Sequence, residues 1–134
     1  MCGIAGFFDK NIDAHKTIKA MTDRMIYRGP DAEGFWIDEN SGLTLGHRRL
    51  SILDLSENGA QPMHSASGRF VIAYNGEIYN AAQIREKVLA VESQLHFRGT
   101  SDTEVILEAF EVLGLQQTLS MMKGMFAVAL YDRQ

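Results

Sequence analysis

A single cysteine, Cys2, among 134 residues leaves no partner for an internal disulfide, so nothing in the chain calls for an oxidising compartment. Basic residues are not in excess. Lys and Arg number 13 against 17 Asp and Glu, the net charge is −4, and no basic run interleaves with aromatics. That balance excludes a non-specific nucleic-acid surface. No apolar run approaches the length of a membrane span. The apolar start also lacks a basic n-region and meets Asp9 and Lys10 within a few residues, so it is no secretory signal. These absences predict a cytoplasmic protein without membrane or nucleic-acid partners. The four histidines are scattered and Cys2 has no cysteine at ligand spacing, which argues against zinc and for histidines that are exposed or hydrogen-bonded. No internal repeat, low-complexity tract or linker divides the chain, and 46% hydrophobic and 22% charged residues suit one ordinary globular domain.

Cys2 to Phe8 is a short apolar run with two glycines and reads as a buried strand. Ile18, Met21, Met25 and Ile26 form a helical stripe from the N-cap candidate Asp13 to about Tyr27, with the stop at Arg28-Gly29-Pro30. Phe35-Trp36-Ile37 and Leu43-Thr44-Leu45 read as strands around an Asp38-to-Gly42 turn. Leu50 to Leu55 is apolar, and a loop follows through Asn58-Gly59 and Pro62. Phe70 to Tyr74 is a strand ended by Asn75-Gly76. Helices are expected over Ala81–Ala90, from Ser101-Asp102-Thr103-Glu104 to about Leu113 with Val105, Ile106, Ala109 and Phe110 buried, and over Gln117–Lys123. Met125 to Tyr131 is a near-continuous apolar strand. Strands dominate early and mix with helices later, which is α+β rather than a regular β-α-β alternation. An apolar strand three residues from the end expects a neighbour, so the sequence reads either as a fragment of a longer protein or as ending in an edge strand closed by its own preceding segments.

On position alone Cys2 reads as a small hydrophobe at a strand start, but it is also where chemistry could begin. Removal of Met1 would give one residue both a thiol, pKa ~8.5, and an α-amine, pKa ~7.7–8.0, a nucleophile beside its own base. With Met1 attached the nitrogen is an amide and cannot serve. Asn75-Gly76 has two readings. It is the strongest two-residue hairpin signal, or an amide side chain and a backbone N–H aimed at one oxyanion, each donor worth roughly 3–4 kcal/mol in acyl transfer. His47-Arg48-Arg49-Leu50 reads as a solvated basic pair or offers a guanidinium that could fork onto a carboxylate, and strand alternation points Arg48 and Arg49 opposite ways. Ser101-x-x-Glu104 is a capping box, and Asp102 in the first turn suits the helix dipole. Asp102, like Glu77, is also a candidate ligand for an ammonium.

Six segments then stand in order: Met1-Cys2-Gly3-Ile4-Ala5-Gly6; Arg28-Gly29-Pro30-Asp31 with Gly34; His47-Arg48-Arg49-Leu50-Ser51-Ile52; Asn75-Gly76-Glu77-Ile78-Tyr79-Asn80; Ser101-Asp102-Thr103-Glu104-Val105-Ile106; and Gly124-Met125-Phe126-Ala127. Together they resemble the glutaminase domain of class II glutamine amidotransferases, which are N-terminal-nucleophile hydrolases. Within that class they look most like the glutamine-hydrolysing asparagine synthetases. The resemblance covers nearly the whole chain, 1–134, as one glutaminase domain. It implies a four-layer α-β-β-α sandwich of mostly antiparallel sheets, here short at its C-terminal end. It implies that Cys2 attacks the glutamine amide, with Asn75 and Gly76 N–H holding the oxyanion. Arg49 would grip the α-carboxylate, Asp102 and Glu77 the α-ammonium, and Leu50, Ser51, Ile52 and Leu53 would line the pocket. Glutamate and ammonia would result, the ammonia serving ATP-dependent amidation of aspartate in the full-length protein.

No cofactor or metal is implied for this chain. ATP and Mg belong to a synthetase domain whose Ser-Gly-Gly-x-Asp-Ser loop has no counterpart in these residues. The expected partners are glutamine and a synthetase domain in cis or trans, with a homodimer left open. Two other readings stay open as well: the same glutaminase serving another acceptor, such as a sugar or a different carboxylate, and a glutamine-binding module without turnover.

Overall fold

The computed structural model describes residues 2–51 and 57–134. Among the described residues the chain forms two antiparallel three-stranded sheets and four α-helices. The Asp38–Gly42 turn joins β2 (Ala32–Asp38) to β3 (Leu43–Arg49), which pair from Asp38↔Leu43 to Ala32↔Arg49. β1 (Gly3–Phe8) pairs with the other side of β3, giving the order β1-β3-β2. The central strand is buried from Thr44 to Arg48. β1 is expected to be buried but is an edge strand and only half covered, with Phe8 70% exposed.

α1 (Ala14–Asp23) starts where the sequence places it, since the Asp13 carboxylate accepts the Lys16 N–H at 3.0 Å. It stops at Asp23 rather than near Tyr27. The chain turns early, through Met25 N–H to Thr22 O at 2.9 Å and Arg28 N–H to Met25 O at 2.9 Å. Ile26 therefore leaves the buried stripe and Thr22 joins Ile18 inside it. Ile18 lies close over Gly46 of β3, where an added Cβ would stand 2.7 Å from its Cγ1. The next residue, His47, bonds instead to the second sheet. Successive strand residues face opposite ways, so α1 and the second sheet cover opposite faces of the first.

The second sheet has the order β4 (Met63–His64), β5 (Phe70–Ile78), β6 (Gly124–Asp132). Asn75-Gly76 does not end β5. The strand runs on to Ile78, with Asn75 opposite Ala127 and Gly76 opposite Phe126. The local turn signal loses to long-range pairing with β6. α2 (Ala81–Val91), α3 (Asp102–Val112) and α4 (Leu115–Met121) follow the expected order. Ile72, Tyr74 and Ile78 of β5 pack with Ile84 and Val88 of α2 and with Val105, Ile106, Ala109 and Phe110 of α3. Each of these Ile, Val and Phe side chains contributes roughly 1.5–3 kcal/mol by leaving water. α3 is buried on all sides from Asp102 to Phe110. It tolerates three carboxylates there because backbone N–H groups meet them: Arg98 and Gly99 donate to Glu104 at 2.8 Å each, Ala66 donates to Glu108 at 2.7 Å, and Ile78 donates to Asp102 at 3.0 Å. Val71 and Ala73 lie on the other face of β5, equally buried, where β1 and β3 approach.

Candidate active site

Cys2 precedes the first residue of β1 and is half-buried. Three contacts fix it. The Leu50 N–H donates to its Sγ at 3.3 Å, the thiol lies 3.7 Å from the Leu50 carbonyl, and Arg28 Nε donates to the Cys2 carbonyl at 3.1 Å. The Arg28–Asp31 segment clamps the same region throughout. Gly29 O accepts from Arg48 Nε at 2.9 Å, Asp31 N–H reaches Arg49 O at 3.0 Å, and Asp31 Oδ2 accepts the Ser51 N–H at 2.7 Å. Gly29 must be glycine, because a Cβ there would sit 2.6 Å from the Arg49 nitrogen.

A cavity of about 220 Å³ opens beside the thiol. Cys2, Arg49 and Leu50 line it from the first sheet, Asn75, Gly76 and Glu77 from β5, and Asp102 from the start of α3. Seven of the expected site residues are thus brought together. Ser51 is absent from the described lining, its N–H held by Asp31. Ile52 and Leu53 lie outside the described residues. The two arginines part as alternation requires. Arg48 is buried and gives Nη1 to Glu33 at 2.8 Å, whereas Arg49 borders the cavity.

The edge of β5 opposite β6 sets the donors. At Ile72 that edge is paired with Met63 of β4. Beyond the end of β4, side chains take over: Tyr74 N–H donates to Gln61 Oε1 at 2.6 Å and Ile78 N–H to Asp102 Oδ2 at 3.0 Å. Gly76 lies midway, and the two-residue repeat sends its N–H to this same open edge, into the cavity. A side chain at position 76 would collide with the Met125 carbonyl and come within 2.6 Å of Phe126 Cα, so β6 can pack here only against glycine. Asn75 shares the face of Val71 and Ala73, toward the sheet that begins at Cys2.

Residue patterns did not single out His47, Gln61, Tyr74, Ser101, Thr103 and Met125 as lining. His47 is fully buried, and its Nε2–H donates to the Tyr74 carbonyl at 3.1 Å. Burial pushes its imidazole down to about 4, the nearby Arg49 charge acting in the same direction, so it is neutral near pH 7. Gln61 spans two elements, since its Nε2 also reaches Thr103 Oγ1 at 3.3 Å. Its place beside Pro62 gave no signal, because both of its partners are distant in sequence.

Residues 1–134 match a family described as the glutamine amidotransferase domain. This chain belongs to that family. The glutamine amidotransferase domain is 38% identical over 138 residues to "Asparagine synthetase [glutamine-hydrolyzing] 1" of Bacillus subtilis, covering 99% of this chain and 21% of that protein. It is 39% identical over 137 residues to "Asparagine synthetase B [glutamine-hydrolyzing]" of Escherichia coli, covering 100% of this chain and 24% of that protein. "Amidase chry2" of Gibberella zeae is 34% identical over 144 residues, covering 98% of this chain and 21% of that protein. The amidotransferase domain therefore spans only a minor part of the length of these relatives.

Proposed function

We propose that this chain hydrolyses the side-chain amide of glutamine through a thioester on Cys2. The observation that carries the reading is the convergence of Cys2, Arg49, Asn75, Gly76 and Asp102 on one cavity. With Met1 removed, the α-amine takes the thiol proton, directly or through a water, as Sγ attacks the amide carbon. The negative oxygen that develops is met by the Asn75 amide and the Gly76 N–H. The attack forms the C–S bond; collapse restores the C=O bond and breaks the C–N bond, and the proton held by the amine leaves with the nitrogen as ammonia. Water then attacks the thioester, the amine again receiving its proton, and glutamate departs as the thiol is restored.

Arg49 holds the α-carboxylate by its planar fork, while Asp102 and Glu77 hold the α-ammonium. The facing sheets, with α1 outside one and α3 outside the other, support a four-layer α-β-β-α sandwich of the N-terminal-nucleophile type. In the full-length protein the ammonia feeds an ATP-dependent synthetase domain, with aspartate as acceptor in the asparagine synthetase reading. The similarity to a protein named as an amidase favours a second reading, in which the same glutaminase serves another acceptor.

Met1-free protein should release glutamate from glutamine, and Cys2→Ala should abolish it. A glutamine-mimicking alkylator should add its mass to Cys2 alone. Turnover undiminished in Cys2→Ala would refute the assignment.

A further inference from the structure

Tyr74 distributes its polar groups over three separate segments. Its N–H goes to Gln61, its carbonyl accepts from His47, and its hydroxyl donates to Asp102 Oδ2 at 2.9 Å. The side chain is 2% exposed and packs in the core between β5 and α3. A buried phenol needs an acceptor, and one backbone carbonyl would satisfy it. Here the acceptor is a cavity carboxylate that the Ile78 N–H already meets at the same oxygen. Two donors on Oδ2 fix the plane of the carboxylate and leave Oδ1 without a donor among the described residues.

We propose that the Tyr74 hydroxyl is a specificity-determining positioning residue, which ties down one oxygen of Asp102 so that the other meets the α-ammonium of the ligand. The inference rests on the glutamine reading above and adds the group that orients its ammonium ligand. Burial and the Asp102 charge both push the phenol far above its ordinary value, so the hydrogen stays on the tyrosine as a permanent donor. Without it Asp102 keeps only the Ile78 N–H and can turn away from the ammonium. Substrates lacking an α-amine gain nothing from Asp102 and are indifferent to that rotation.

The test compares glutamine with 4-carbamoylbutanoate, which has the same amide and carboxylate but no α-amine. Tyr74→Phe keeps the ring and removes only the O–H. It should raise the KM for glutamine about tenfold, the weight of one hydrogen bond to a charged group, with kcat and the KM for the amine-free analogue nearly unchanged. On an Asp102→Asn background the same substitution should add no further loss. Equal losses for both substrates, or unaltered discrimination, overturn the inference and reduce Tyr74 to a packing residue. A second measurement needs no variant: the Tyr74 hydroxyl proton signal should shift on binding glutamine and stay put with the analogue, and a shift with both counts against the proposal. The functional reading fails differently, by unsubstituted Met1-free protein that neither hydrolyses nor binds glutamine. That result removes the inference as well.

Discussion

Arg48 and Arg49 are adjacent and chemically identical, and the fold gives them opposite work. Arg48 is held between Gly29 O and Glu33 with its side chain 7% exposed. Arg48→Ala should cost about 2 kcal/mol of stability, less than a fully buried pair because Glu33 is 33% exposed, and urea unfolding measures it. Arg49→Lys should leave the unfolding midpoint in place and raise the KM for glutamine about tenfold, since an ammonium cannot fork onto a carboxylate. Arg49→Lys with normal KM would remove Arg49 from the carboxylate. Asn75→Ala should lower kcat by about 10²–10³ with little change in KM, because an oxyanion donor acts only after attack. Steady-state kinetics separate the two effects.

At the scale of elements, legibility followed the range of the forces involved. The β2–β3 hairpin was readable because its turn residues and its alternation sit within one short stretch. The start of α1 was readable because Asp13 caps it locally. Asn75-Gly76 was misread as a strand end because the partner that keeps β5 extended, β6, lies some fifty residues on. The end of α1 escaped for a related reason: Arg28 and Gly29 turn back to contact Cys2 and Arg48. Cys2, Arg49, Asn75, Gly76, Glu77 and Asp102, which the motifs single out, are the ones the fold gathers around one cavity. Gln61, Tyr74 and His47 were not legible, since only the paired strands bring them to the cavity. Gly76→Ala tests the close approach of β6 to β5 beside the cavity. Its methyl group would push β6 away at Met125, so we expect a loss of about 2 kcal/mol in thermal unfolding together with lost turnover.

For the whole molecule, the His47 bond to Tyr74 joins the central strands of two sheets, and its protonation links folding to pH. An unfolded imidazole takes its proton near 6.5, the buried one only at about 4. The contribution is complete above pH 6.5 and is lost as pH falls from there to about 4. The gap corresponds to about 3 kcal/mol at 1.36 kcal/mol per pKa unit. Urea unfolding at pH 7.5 and 4.5 should show the loss, and His47→Gln, which keeps a donor, should show less of it. An equal loss in the variant would exclude His47 as its source.

The short β4 carries a last consequence. Because that strand halts before it can reach Gly76, the sheet forgoes the rung whose N–H we propose meets the oxyanion. Extending β4 by four residues toward its N-terminal side would complete the ladder as far as Gly76, yielding a protein more resistant to urea and slower on its substrate. On that proposal, durability and turnover compete for a single amide hydrogen.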